Sequence, residues 1–179
     1  MAKLPKEYQF LDLSDYGRTS GHWIAKQLKN TIFTPIHVTT LFIFVGLFAI
    51  GFMLHGYYKT AAIFIILKSV LDAADGELAR LNKQPSYTGR YYDSIADILL
   101  NFCFLLTFWH VTEISIIYML IAFFGIQLQG TVYNYYYVIL RNAVEGDSTS
   151  RVFEYAPPKA LKGESQRTVN IFFKIYNIL

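Results

Sequence analysis

Apolar positions fall in long blocks along this chain, with polar stretches between them. The blocks near Ile32 to Leu54, Ala61 to Leu81, Tyr91 to Trp109 and Ile114 to Leu140 each approach the roughly 20 helical residues that cross a bilayer's hydrocarbon core. The pattern predicts four transmembrane helices. A further apolar segment opens at Val169 and stops at Leu179, too soon to cross, so the chain reads as incomplete. The implied organisation is an N-terminal segment over 1–31, a four-span core over 32–140, a polar loop over 141–168 and the start of a fifth span over 169–179.

Ahead of the first block, TSGHWIAKQLKN puts Trp23, Ile24 and Leu28 on one helical face and Lys26 and Lys29 on another, with Thr19 or Ser20 as N-cap. That pattern suits a helix lying in the membrane interface, and a soluble amphipathic helix would share it. The first span opens with Thr34 as a cap and Pro35 in the first turn. Pro85 breaks the chain between the second and third spans. Gly125 and Gly130 in the fourth, beside Gln127, Gln129 and Asn134, read best as a helix-packing surface. The expected fold class is all-α, a polytopic transmembrane bundle with an N-terminal interfacial amphipathic helix.

Composition agrees: of 179 residues 54% are hydrophobic and 16% charged, which argues against a soluble globule. No signal peptide is apparent. Lys3, Lys6, Arg18, Lys26 and Lys29 precede the first span, Arg80, Lys83 and Arg90 lie between the second and third, and Arg141, Arg151, Lys159, Lys162 and Arg167 follow the fourth. Only Lys59 falls in a loop on the opposite side, which predicts an integral protein of the cell membrane with its N-terminus in the cytosol. The net charge of +3 then reflects topology and not nucleic-acid binding. The single cysteine, Cys103, cannot form an intrachain disulfide.

Against this apolar background stand Asp72, Asp75, Asp93 and Asp97. On an α-helix, Asp72 and Asp75 are about 60° apart, with Gly76 and Ala79 on the same arc. Asp93 and Asp97 are one turn apart on the next helix, with Gly89 a turn earlier. A hairpin brings these two faces together at one membrane level. Carboxylates so close need protonation or positive charge, and Lys68 can offset one at most. Divalent metal answers the rest. With no His or Cys in the motif, oxygen ligation favours Mg²⁺ or Mn²⁺, and two ions bridged by carboxylates suit phosphoryl transfer. Gly76 and Gly89 would let a phosphate approach the backbone, and Arg80 could pair with its oxygens. Any single aspartate could instead be a water-facing helix end or complement a helix N-terminus.

Asp72, Asp75, Gly76, Ala79, Arg80, Gly89, Asp93 and Asp97, eight residues at fixed spacing over 26 positions, match the signature of the CDP-alcohol phosphotransferases, integral membrane enzymes of phospholipid synthesis that this chain resembles. The resemblance implies transfer of a substituted phosphate from a CDP-linked donor, CDP-diacylglycerol foremost, to a small alcohol or polyol phosphate, with release of CMP. It implies Asp72, Asp75 and Asp93 as ligands of two Mg²⁺ or Mn²⁺ ions, and Asp97 as both ligand and catalytic base. It also implies CDP contacts at Gly76, Ala79, Arg80, Ser86 and Gly89. A weaker family feature before the first span retains Thr34, Pro35 and Thr39 but has Ile36 where asparagine is expected; His37 could supply the polar contact or be an interfacial histidine without that role. Six spans and a homodimer are usual in the family, and the active site would face the cytosol.

Two other classes fit the carboxylates alone. An intramembrane Mg²⁺-dependent prenyltransferase would release pyrophosphate and need no cytidine. A cation transporter would move metal without chemistry. Neither accounts for the glycines and Arg80.

Overall fold

Thr34 and Pro35 start the first long helix as the pattern predicts, and the remaining breaks follow similar local chemistry. The computed structural model describes residues 4, 6–8, 16–83, 85–144 and 153–179. Among these, the helices are α1 (Arg18–Leu28), α2 (Pro35–Leu54), α3 (Tyr58–Leu81), α4 (Tyr87–Thr112), α5 (Ile116–Ala143) and α6 (Gln166–Tyr176), with no strand and one short 3₁₀ turn at Lys6–Tyr8. The loop expected over 141–168 lies partly outside the described residues, Arg151 included.

Three helices, α2, α4 and α5, are long and apolar enough to cross a membrane. The fourth expected span, α3, has 24 residues but carries Lys59, Lys68, Asp72, Asp75, Glu77 and Arg80, which lower its hydropathy. Two of these charged side chains, Lys68 and Asp75, are buried within the bundle. α3 ends at Asn82, Lys83 takes a left-handed φ of 51°, and Pro85 precludes continuation. Ser86 then caps α4 by accepting the Gly89 N–H.

α2 packs against both α3 and α4, and α1 lies along α3. Phe42, Val38 and Val45 of α2, Leu71, Ala74 and Leu78 of α3, and Ala96 and Leu100 of α4 form the central core, with Ala25 of α1. α1 approaches through its small residues. A Cβ on Gly21 would stand 2.9 Å from both the Ala73 Cβ and the Ala74 N, so only glycine permits this crossing. Gly17, not Thr19 or Ser20, is the N-cap; the two hydroxyl residues lie inside the first turn. Ile24 and Leu28 pack on the core, whereas Trp23 is 64% exposed because the docked face is centred on Gly21 and Ala25.

α6 has 11 residues, too few to cross a bilayer, and packs Val169 and Phe173 against Tyr87, Tyr91 and Ile95 of α4. α5 packs on α4, where the Phe102 and Phe123 rings meet with centroids 5.1 Å apart. Gly125 and Gly130 have nothing within 4 Å of a notional Cβ, so the packing expected of them is not made within the described residues.

Candidate active site

α3 and α4 each lean on α2, and their carboxylates meet in the space between them. One oxygen from each of Asp72, Asp75 and Asp93 lies within 4.8 Å of the other two. Asp75 is the most buried, and the Thr39 hydroxyl of α2 donates to its Oδ2 at 2.6 Å. Thr39 Oγ1 also stands 3.1 Å from the Pro35 carbonyl, but it has one proton, and the shorter contact takes it. Asp93 Oδ1 is buried without a hydrogen-bond partner.

Such a cluster fits a divalent cation. Its donors are hard carboxylate oxygens with no sulfur or imidazole among them, the set that suits Mg²⁺ or Mn²⁺. The unpartnered Asp93 oxygen is the acceptor that a bound ion would satisfy, since buried polar atoms are otherwise paired.

Asp97 stands outside the trio. Its Oδ1 pairs with the Lys68 ammonium, which reaches across from α3, and the Lys68 side chain is 9% exposed against 40% for Asp97. Lys68 also sits over the Phe42 ring, 4.8 Å from its centroid. The four aspartates therefore divide into three and one.

Of the residues expected around CDP, Gly76, Ala79 and Arg80 lie in the last turns of α3, Ser86 and Gly89 at the start of α4, and Thr34, Pro35, His37 and Thr39 at the start of α2. The Arg80 guanidinium folds back towards Gly76, where a Cβ would meet it at 3.4 Å. Its Nη2 donates to Glu77 Oε1 at 2.9 Å, while its buried Nε has no partner. Glu77 Oε2 is 3.4 Å from His22 Nδ1 of α1. Ala79 is half-buried one turn after Asp75. Thr34 and His37 form a reciprocal cap: the His37 N–H donates to Thr34 Oγ1 at 3.4 Å, and the Thr34 N–H donates to His37 Nδ1 at 3.1 Å. His37 thus spends one ring nitrogen on helix geometry.

Two carboxylates that the motif does not reveal fasten the segment after α5 onto α4. Glu154 accepts from Tyr91 Oη at 2.6 Å and forms an ion pair with Arg90 Nη2 at 2.5 Å. Glu164 accepts from the Ser86 hydroxyl at 2.8 Å, the Thr88 N–H at 2.7 Å and the Leu161 N–H at 3.1 Å. Burial pushes the Glu164 carboxyl up, but the hydrogen bonds from Thr88, Ser86 and Leu161 outweigh it and hold the group below the ordinary glutamate range.

A bundle of apolar helices around a buried acidic cluster is the architecture of an integral membrane protein. The profile of the CDP-alcohol phosphatidyltransferase family matches residues 32–152, more than half of the chain, which belongs to that family. It is a membrane phosphotransferase of phospholipid synthesis, a class that joins CDP-linked donors to alcohol acceptors. No curated protein matches the chain significantly. Membership favours this chemistry over the prenyltransferase and transporter readings.

Proposed function

We propose that the protein transfers a phosphatidyl group from CDP-diacylglycerol to a small alcohol or polyol phosphate and releases CMP, in a divalent-metal site on the cytosolic side. The observation carrying this reading is the convergence of Asp72, Asp75 and Asp93 within 4.8 Å, with a buried Asp93 oxygen left unpartnered.

Asp72, Asp75 and Asp93, with Asp97, would hold two Mg²⁺ or Mn²⁺ ions, which when bound would neutralise pyrophosphate charge and stabilise the departing CMP. Thr39 orients the Asp75 carboxylate. Arg80 offers its unspent Nε–H to a phosphate oxygen, and Gly76, Ser86 and Gly89 would add contacts to the CDP moiety. The Asp97 carboxylate accepts the acceptor's hydroxyl proton. That oxygen then attacks the phosphorus bearing diacylglycerol, the bond to CMP breaks, and the proton passes to solvent.

A lipid-linked donor is supported by an apolar groove between α2 and α4, lined by Ile43, Leu47, Ile95, Leu99, Leu100 and Cys103 with Tyr92. Cytosolic orientation is supported by the basic residues flanking the acidic helix ends. The test is CMP release from CDP-diacylglycerol by purified protein with Mg²⁺ and a panel of alcohols, comparing wild type with Asp97→Asn. Release with one acceptor, lost in the variant, gives the reaction and substrate together. Absence of both CMP release and metal-dependent cytidine binding overturns the reading.

A further inference from the structure

A serine hydroxyl has one proton and two lone pairs to share, and at Ser86 the chain itself commits most of them. The hydroxyl donates to Glu164 Oε1 at 2.8 Å, and its oxygen accepts the Gly89 N–H at 2.8 Å. The Glu164 carboxyl, held below the ordinary glutamate range by its donors, is ionised at neutral pH and can only accept. The direction of the bond is therefore fixed. One lone pair of Ser86 is left, on a residue that stays partly exposed. The Thr88 N–H is spent as well, on the same Glu164 oxygen at 2.7 Å. Ser86, Thr88 and Gly89 thus keep no donor for a phosphate.

Glu164 is held in this place from behind. The Leu161 N–H donates to its other oxygen at 3.1 Å, its own N–H returns to the Leu161 carbonyl at 3.0 Å, and Gly163 takes the φ of 94° in the turn between them. Val169 and Phe173 of α6 then dock the segment on Tyr87 and Tyr91 of α4.

We infer that Glu164 is a positioning residue that fixes Ser86 as a hydrogen-bond acceptor, so that the start of α4 recognises a donor on the nucleoside, a ribose hydroxyl or the cytosine amine, and not a phosphate oxygen. The inference rests on the phosphotransferase reading for the presence of CDP at Ser86. It adds the polarity of that contact and the residue that sets it. Without Glu164 the Ser86 proton is free to turn towards the ligand, and discrimination between donor and acceptor groups is lost.

The experiment measures CDP binding to purified full-chain protein in detergent with saturating Mn²⁺, by titration calorimetry, against UDP, 2′-deoxy-CDP and 3′-deoxy-CDP. UDP carries a carbonyl oxygen in place of the cytosine amine, and each deoxy compound lacks one ribose hydroxyl, so the arms separate base from sugar. Wild type should bind at least one of the three about tenfold more weakly than CDP, the scale of one hydrogen bond whose acceptor is left unpaired. Ser86→Ala should remove most of that ratio by weakening CDP alone. Glu164→Ala should remove most of it too, although Ser86 is intact. Glu164→Gln should keep most of it, because an amide oxygen still takes the Ser86 proton while the Leu161 N–H loses its acceptor. A merely structural strap would not behave so, since glutamine loosens the strap and yet preserves the ratio.

An alanine variant at Glu164 that keeps the wild-type ratio, or a glutamine variant that loses it as fully as alanine, overturns the inference, as does a wild type that binds all four nucleotides alike. Tighter CDP binding by Glu164→Ala also overturns it, since the carboxylate would then compete with the nucleotide for the start of α4. If wild type binds no CDP with Mn²⁺, the phosphotransferase reading fails and takes the inference with it, whereas CDP binding with unmoved ratios sinks the inference alone. Glu164→Met, which fills similar space without an oxygen, replaces the alanine variant if that one does not fold, with the same loss of ratio expected.

Discussion

The hydroxyl of Thr39 on α2 donates to Asp75 Oδ2 on α3 at 2.6 Å, and both residues are buried. This bond ties the first span to the acidic helix at the carboxylate that is hardest to reach from solvent. Thr39→Val keeps the shape and removes the donor. A hydrogen bond to a charged group is worth about 1.5–3 kcal/mol, and loss of an outer partner of a metal ligand typically weakens metal binding about 10–100-fold. Thr39→Val should therefore need at least about tenfold more Mn²⁺ for half-maximal thermal stabilisation, and Thr39→Ser should stay close to wild type. Equal Mn²⁺ dependence in the valine variant would mean that the bond does not orient Asp75.

Asp93 gives the opposite sign in metal-free protein. Its Oδ1 is buried and unpartnered beside two further carboxylates, so Asp93→Asn removes repulsion and supplies a donor to its neighbours. In excess EDTA the variant should melt higher, by about 2–4 °C for each kcal/mol relieved, while the rise in Tm that Mg²⁺ or Mn²⁺ gives wild type should vanish. A variant that melts lower in EDTA would show that the trio is not under charge repulsion.

The acidic centre was largely legible because its spacing is local: Asp72 with Asp75, and Asp93 with Asp97, share faces by helix period alone. Lys68 was visible as a cation one turn from Asp72. Its choice of Asp97 was not, since that depends on how α3 and α4 stand against α2. In α1 the large side chains misled: Trp23 dominates any apolar face on paper, yet the helix docks through Gly21 and Ala25 because small residues let backbones approach. Glu164 was illegible for another reason. It meets Ser86 across 78 positions, and no periodicity links a loop residue to a distant cap. The i,i+3 pairing of Glu77 with Arg80 was readable by helix spacing, although its link to His22 was not.

Glu164 makes the docking of the post-α5 segment depend on pH. Its carboxyl is held below the ordinary glutamate value by the bonds from Thr88, Ser86 and Leu161. A group depressed on folding contributes stability that is fully present above its unfolded pKa and is lost as pH falls through the folded one. Protection of the first turn of α4 and of residues 160–176 in hydrogen exchange, corrected for intrinsic rates, should thus be constant above about pH 5–6 and decline below about pH 4. Glu164→Gln should lower protection at neutral pH and flatten the decline. A wild-type profile with no acid limb would remove the carboxylate from the docking contact.

The proposed contact of Arg80 with the nucleotide can be separated from its part in helix stability. One end of its guanidinium is engaged by Glu77, and the buried Nε is unspent, so a phosphate can be met without breaking the existing pair. Arg80→Lys retains the charge but loses the planar fork. The expected result is a rise of about tenfold in KM for the CDP donor, a kcat changed by less than about threefold, and an unaltered Tm, the loss of one charge-assisted bond being about 1.5–3 kcal/mol. If KM is unchanged and Tm drops, Arg80 serves α3 and not the donor.

Gly21 tests whether the amphipathic helix is part of the catalytic body. Alanine is the better helix former by about 1 kcal/mol, so in an undocked α1 the change Gly21→Ala would stabilise the helix. In the docked helix the added Cβ would stand 2.9 Å from Ala73 Cβ and from the Ala74 backbone nitrogen, and backbone cannot turn aside as a flexible side chain can. Overpacking of this kind costs about 1–3 kcal/mol, which outweighs the propensity gain. Gly21→Ala should therefore lower Tm by several degrees. Because α1 carries His22 to within 3.4 Å of Glu77, and Glu77 holds Arg80, the same variant should also raise KM for the CDP donor, while His22→Ala should raise KM without the fall in Tm. A Gly21→Ala protein at least as stable as wild type, with unchanged KM, would mean that α1 lies free of α3 and takes no part in holding the nucleotide end of the site.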